Sequence, residues 1–292
     1  MILLTGATGN LGSAVLRRLT ESGTRVRCLV RDPRRLGPDR VHVQIALGDL
    51  ADPSSFRNAL RGVDTVVHLA AAIRDQPRAS LEELNAVATL RLLRAAERTG
   101  VERFVFASAL GASLHGPARF FRAKALAEEA VEASALRTVV FAPSIVYSPR
   151  DPWIRLLERL TLLPTMPISG SGQARYQPMW ADDAAACVAA ALERDGQARA
   201  RYELAGPETL SYDDMARVTL SALRRRRRLI HLPLPLVRAG LQALEAVTGQ
   251  SAFATWEEAA LMEIPMLSER GTADAEELGV SPRPMRAVLG AP

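Results

Sequence analysis

The chain opens Met1-Ile2-Leu3-Leu4-Thr5-Gly6-Ala7-Thr8-Gly9-Asn10-Leu11-Gly12, and this stretch decides how the rest is read. A short apolar run ends in glycines spaced three apart, and Ala14, Val15, Leu16 and Leu19 follow at helical spacing. Strand, tight turn, helix is the signature of a turn that holds the phosphates of a dinucleotide. In that reading Gly6 permits the tight turn, Gly9 lets backbone approach a pyrophosphate, and Gly12 lets the helix pack close. Thr5, Thr8, Asn10 and Leu11 complete the turn, and the helix N-terminus offers free N–H groups and a positive dipole end.

Outward from the turn, apolar runs at 24–30, 41–46, 65–70, 101–107 and 138–141 read as strands, with helical patterns at 53–60, 81–99 and 118–133 between the later ones. That alternation predicts an α/β fold, a Rossmann-type doubly wound parallel sheet with right-handed crossovers. After Pro143 the pattern becomes irregular, with Pro and Gly clusters and helices near 153–160 and 182–193. We therefore expect a nucleotide-binding domain over 1–145 and a smaller substrate lobe over 146–292, partly interleaved with the sheet edge.

Composition excludes several classes. With 48% hydrophobic and 24% charged residues over 292 positions, the chain is neither a disordered tail nor a small disulfide scaffold. No apolar run is long enough to span a membrane, and no signal segment precedes the glycine turn, so a cytoplasmic location is the expectation. Cys28 and Cys187 stand far apart in apolar surroundings and read as reduced core residues, and His42, His68 and His231 are scattered, so no metal site is expected. The net charge of +5 reads as spread along the chain, which argues against a nucleic-acid partner, and the arginine run at 224–228 reads first as a solvated turn. Monomer and homodimer both stay open.

The end of the second strand bears on the cofactor. Arg31 stands there, with Arg34 and Arg35 behind it, where an NAD site would place a carboxylate. Arginine suits a 2′-phosphate, so NADP(H) is preferred over NAD(H), although Asp32 is one residue away. One further signal comes from counting: of 37 basic residues only Lys124 is lysine. A compact, titratable ammonium retained among arginines points to a close-fitting site.

These residues resemble the short-chain dehydrogenase/reductase superfamily. Beyond the glycine turn, Gly48-Asp49-Leu50 is similar to its adenine-contacting acidic position, and His68-Leu69-Ala70-Ala71 to the segment after its fourth strand. The segments from Phe104 to Gly111, from Phe120 to Lys124, Ala142-Pro143-Ser144 and Gln177-Pro178-Met179 look most like the atypical branch that includes the complex I accessory subunit and NmrA-like proteins. The resemblance implies an oxidoreductase acting on a hydrophobic small molecule, with Asn85 at the active-site asparagine position and Lys124 at the ribose-binding lysine. It also exposes a break: the catalytic tyrosine position holds Phe120, and the serine position is best matched by Ala109, with Ser108 adjacent. A phenyl ring has no proton to give. Lys124, His115 and Tyr147 are then the candidate proton donors, with Tyr176 further out. The alternative is a cofactor-binding redox sensor or assembly protein without turnover. Trp153, Trp180 and Trp256 could line an apolar cavity.

Overall fold

The computed structural model describes residues 1–77, 79–149, 151–194, 200–248 and 255–290. The first half runs β1 (Ile2–Thr5), α1 (Asn10–Glu21), β2 (Val26–Val30), β3 (Gln44–Leu47), α2 (Pro53–Phe56), β4 (Thr65–His68), α3 (Ala88–Arg98), β5 (Arg103–Ala107), α4 (Arg119–Glu132) and β6 (Arg137–Pro143). The second half continues with β7 (Val146–Tyr147), α5 (Pro152–Leu160), β8 (Thr165–Ser169), β9 (Arg175–Tyr176), β10 (Met179–Trp180), α6 (Ala181–Glu193), β11 (Arg201–Leu204), β12 (Leu210–Ser211) and α7 (Tyr212–Ala222). It ends with β13 (Arg228–Leu232), α8 (Leu234–Thr248), α9 (Trp256–Leu261), α10 (Ala273–Glu277) and α11 (Met285–Leu289).

Seven strands form one parallel sheet in the order β11-β6-β5-β4-β1-β2-β3. Neighbouring residues on its strands face opposite layers. Leu4, Val67, Val105 and Phe141 pack under α1 and α6, while Leu3, Val66, Phe104 and Val140 pack under the helices of the other face. Burial on both faces is why these strands read as unbroken apolar runs. The order of strand addition reverses at β1, which has β2 on one side and β4 on the other, and in open sheets of this kind ligands bind at the carboxyl ends of the strands at that crevice.

Three elements of the second half belong to this layer: β11 extends the sheet beside β6, α6 packs along α1, and α10 packs on β11. The rest builds a lobe of three two-stranded pairs, β7/β10, β9/β12 and β8/β13, over clusters centred on Tyr147, Tyr176 and Met215 and on Leu157, Met166 and Ile168.

Three local expectations need correction. The strand expected at 41–46 begins only at Gln44, because the Asp32 side chain accepts from the Arg34 N–H and Pro33 follows, starting the first of two short 3-10 segments that lie between Pro33 and His42 and are separated by a kink at Gly37, whose φ is +62°. β3 is the sheet edge, which leaves Leu47 64% exposed. The helix expected over 81–99 contains a π-helical turn, Glu83–Val87, before α3. The helix expected over 53–60 tightens into 3-10 geometry at Arg57–Leu60.

Candidate functional site

The glycine turn takes its shape from contacts no other residue would allow. Gly6 has φ +73°, and a Cβ there would lie 2.5 Å from the Ala70 backbone nitrogen. A Cβ on Gly12 would lie 1.9 Å from the Gly6 carbonyl oxygen, so the first turn of α1 sits directly on the loop. Gly9 donates to the Gly6 carbonyl at 2.9 Å, and its own Cβ would meet only that oxygen, at 3.2 Å. α1 then starts with no side-chain cap and no acidic residue in its first turn, so its positive end is not neutralised from within. Asn10 donates to the Val146 carbonyl at 2.9 Å, tying the turn to β7, and Leu11 packs against the core. A cradle that one methyl would fill, at an uncapped helix start, suits a dinucleotide pyrophosphate.

At the end of β2, Arg31 is exposed and donates to Gln76 Oε1 at 2.5 Å, while Arg34 and Arg35 are exposed behind it. Asp32 has one carboxylate oxygen committed to the Arg34 N–H at 3.0 Å. Asp49 is similarly engaged, Oδ1 accepting from the Ala51 N–H at 3.0 Å, and the partly buried Leu50 packs under the sheet. Leu69, Ala70 and Ala71 form the loop beside Gly6, with the Leu69 N–H bonded to the Thr5 carbonyl at 3.2 Å.

Below the turn lies a buried polar chain that the sequence did not reveal. Thr5 Oγ1 and His68 Nδ1 are 2.6 Å apart, His68 Nε2 and Thr89 Oγ1 2.9 Å, and Thr89 Oγ1 donates to the Asn85 carbonyl at 2.6 Å. Because Thr89 spends its proton on Asn85, it accepts from His68 Nε2–H. Burial keeps the histidine neutral, and Nδ1 of the neutral ring accepts from the Thr5 hydroxyl. Burial, helped by the charge of Lys124, pushes its pKa down to about 3 from an ordinary 6.5. A depressed folded-state value means stability present above pH 6.5 is lost as pH falls toward 3, on the order of 4 kcal/mol. Thermal melts between pH 7 and 4 should therefore show a steep acid loss, and His68→Gln should flatten that slope; an equal slope in the variant would refute the assignment.

Asn85 is fully spent: its amide donates to the carbonyls of Ala72 and Leu81 at 2.7 and 2.8 Å and accepts from the Ala72 N–H at 3.1 Å. It fixes the loop after β4 through the π-helical turn. Lys124 sits on α4, 2% exposed, and donates to the Ala107 carbonyl at 2.6 Å. Its ammonium lies 4.8 Å from the Phe106 ring centre and 6.0 Å from that of Phe120. Burial pulls its pKa down to about 7, against the opposing pull of Glu128 one helical turn on.

The remaining candidate residues have contacts of their own. The Ser108 hydroxyl donates to Glu128 at 2.5 Å, and Glu128 pairs with Arg201 at 2.6 Å, so Ser108 belongs to a network that anchors β11. His115 is exposed in the loop before α4. Tyr147 is buried in the lobe beside Tyr176 and Met215, its hydroxyl without a hydrogen-bond partner among the described residues and its pKa raised, chiefly by burial. Pro143 ends β6, where its carbonyl accepts from the Leu110 N–H at 2.9 Å, and Ser144 donates to the Met266 carbonyl at 2.9 Å. The Tyr176 hydroxyl donates to the Met262 carbonyl. Trp153 donates to the Tyr212 hydroxyl at 3.2 Å, and Trp180 lies 3.5 Å under the Arg283 guanidinium. Cys28 and Cys187 are buried, free thiols whose pKa burial pushes up to about 12.

Where a catalytic tyrosine and serine would stand, Ala109, Phe120 and Phe121 instead pack with Leu261, Met262, Ile264 and Met266. Two ion-pair systems hold this strap of chain down: Arg119 reaches Asp75 and Glu82 as well as Glu257 of the strap, and Arg74 lies 3.0 Å from Glu258. The Thr255-Trp256-Glu257-Glu258 capping box that starts α9 was legible in the sequence and is the signal that could have flagged the strap.

The chain matches the NAD(P)H-binding family over residues 6–170. It is 30% identical over 246 residues to subunit 9 of the mitochondrial NADH dehydrogenase (ubiquinone) 1 alpha subcomplex of Arabidopsis thaliana, covering 80% of this chain. This chain spans only 60% of that relative's length. It is 29% identical to the NAD(P)H azoreductase of Xenophilus azovorans, covering 85% of this chain and 81% of the relative. Among solved structures, the NADPH-dependent quinone oxidoreductase of Escherichia coli, in complex with NADPH, superimposes with a TM-score of 0.74 over 99% of both chains at 17% identity, which shows a shared fold.

Proposed function

The chain belongs to the NAD(P)H-binding family, in an atypical branch of the short-chain dehydrogenase/reductase superfamily, and from that premise we propose that it is an NADPH-dependent reductase of a hydrophobic small molecule. The observation that carries this reading is Lys124, the only lysine, buried with its ammonium donating to the Ala107 carbonyl at 2.6 Å and lying 4.8 Å from the Phe106 ring centre, where burial lowers its pKa. Cationic at or below neutrality, it can hold a ribose hydroxyl or release a proton toward a substrate.

In this reading Gly6, Gly9 and Gly12 with the first turn of α1 hold the pyrophosphate, Arg31 the 2′-phosphate, and Asp49 and Leu50 the adenine. Leu69, Ala70 and Ala71 follow the cofactor, and Pro143 and Ser144 border its nicotinamide end. A bound NADPH supplies hydride. Asn85 and His68 keep the loop after β4 and the glycine turn in register, and the strap over Phe120 excludes water. A site with phenylalanine at the acid position suits acceptors whose reduced form tolerates slow protonation, such as quinones, enones or azo compounds, better than simple ketones. We place the activity in the cytoplasm; no helix among the described residues is long and apolar enough to cross a membrane.

Calorimetric titration with NADPH and NADH tests the cofactor assignment. Arg31→Ala should weaken NADPH binding tenfold or more, as expected for losing a charge-assisted contact of about 1.5–3 kcal/mol, and leave NADH within twofold. Equal loss for both would refute the 2′-phosphate role. Oxidation of NADPH by a quinone, enone and azo panel then tests turnover.

A second reading, cofactor binding without turnover, is favoured by the closed apolar cluster around Phe120. It predicts tight NADPH binding with no oxidation by any acceptor of the panel.

A further inference from the structure

Basic residues occur along the whole chain, but the excess does not, which corrects the expectation of evenly spread charge. Residues 215–244 hold seven arginines and no aspartate or glutamate, so against an overall +5 the remainder of the chain is net acidic. Five of these arginines, 224–228, leave the end of α7 where Arg224 takes φ +52°. With Arg217 and His231 they line an open groove of about 710 Å³. Arg217 pairs with Asp213 and Asp214, and His231 with Asp213. No carboxylate among the described residues pairs with Arg224, Arg225, Arg226 or Arg228. Arg227 is structural, its Nε donating to the Thr161 and Leu163 carbonyls at 3.0 and 2.9 Å.

That bond pins a leucine turn beside the arginines. Leu162 is 78% exposed and lines a second groove with Arg225, with Glu158 the acid at its rim. Leu163, next on the same turn, is 46% exposed, and β13 carries the exposed Ile230 onward from Arg228. Large apolar side chains standing out of a basic surface are costly in water without a partner that takes both.

We propose that this face docks on an anionic phospholipid bilayer, the arginines against headgroup phosphates and Leu162 and Leu163 in the interfacial layer. Charge complementarity selects a polyanion, and the protruding leucines select a bilayer over a single-stranded nucleic acid, whose bases stack on Phe, Tyr or Trp rings that neither groove carries among the described residues. The proposal does not rest on the catalytic reading.

The test is co-sedimentation of the full chain with phosphatidylcholine vesicles, with and without phosphatidylserine, at 0.1 M salt. Binding is expected only with phosphatidylserine. Arg225→Ser/Arg226→Ser should weaken it about 25-fold, at roughly fivefold per arginine, and Leu162→Ser/Leu163→Ser about tenfold, both with circular dichroism and NADPH affinity unchanged. Absence of binding, undiminished binding by either variant, or binding indifferent to the leucines and abolished by single-stranded RNA would each overturn the proposal.

Discussion

Gly12→Ala is expected to unfold the nucleotide turn rather than merely crowd it. The added Cβ would stand 1.9 Å from the Gly6 carbonyl oxygen and 3.1 Å from the Ala7 Cα, all backbone atoms that no rotamer change can move. Overpacking ordinarily costs about 1–3 kcal/mol, and here the helix start must shift, so a loss of about 3 kcal/mol or more is expected. NADPH affinity should fall by at least 100-fold. Three companions make the effect interpretable. Gly6→Ala adds strain at φ +73° to a 2.5 Å clash with Ala70 and should behave alike. Gly9→Ala meets only a 3.2 Å contact, so it should keep its melting temperature within a few degrees while losing affinity, because its methyl stands where a pyrophosphate approaches. Gly23→Ala, at φ +75° with nothing within 4 Å, should cost about 1–2 kcal/mol and leave affinity intact. Calorimetric titration and thermal melts on the four variants check this. A Gly12→Ala protein that binds NADPH normally would remove the turn from the site.

Much of this was legible because parallel strands buried on both faces leave long apolar runs, and β1, β2, β4, β5 and β6 were readable for that reason. β3 was misplaced by three residues because an edge strand with Ile45 and Leu47 exposed gives no clean pattern, and a 3-10 turn borrowed Val41. The lobe was illegible in detail. Strands of two residues, such as β7 and β10, have no periodicity to detect, so nothing announced that Tyr147 points into the lobe core. Lys124 stood out twice, as the only lysine and by its place in the segment from Phe120 to Lys124. His68 did not, since a single histidine at a strand end reads the same whether it is idle or, as here, the hub between Thr5 and Thr89. Asn85 was placed at the right position, but its amide is consumed by Ala72 and Leu81 through a π-helical turn that hydrophobic spacing cannot signal.

Lys124→Met should abolish turnover and, at low pH, make the protein more stable. If the ammonium supplies the proton, removing it costs about 10²- to 10⁴-fold in rate. With a pKa of about 7, wild-type turnover should fall as pH rises above 7, and the variant should lose that limb. If Lys124 only orients the ribose, the variant binds NADPH more weakly and its residual rate keeps the wild-type pH profile. The stability change has the opposite sign for a reason of linkage. An unfolded lysine titrates at 10.5 and the folded one at about 7, so the unfolded chain binds more protons between these values and wild-type stability rises with pH across that window. Below pH 7 the folded state carries the whole cost of a buried charge, on the order of 5 kcal/mol, which methionine lacks. Against this, the Ala107 carbonyl loses its donor, worth about 1–3 kcal/mol. The variant should therefore melt higher than wild type at pH 6, converge with it as pH rises, and melt lower near pH 10.5. A variant that melts lower at every pH would mean the ammonium is not held in the low-dielectric pocket formed by Phe106 and Phe120, and the lowered pKa on which the proton-donor role depends would fall with it.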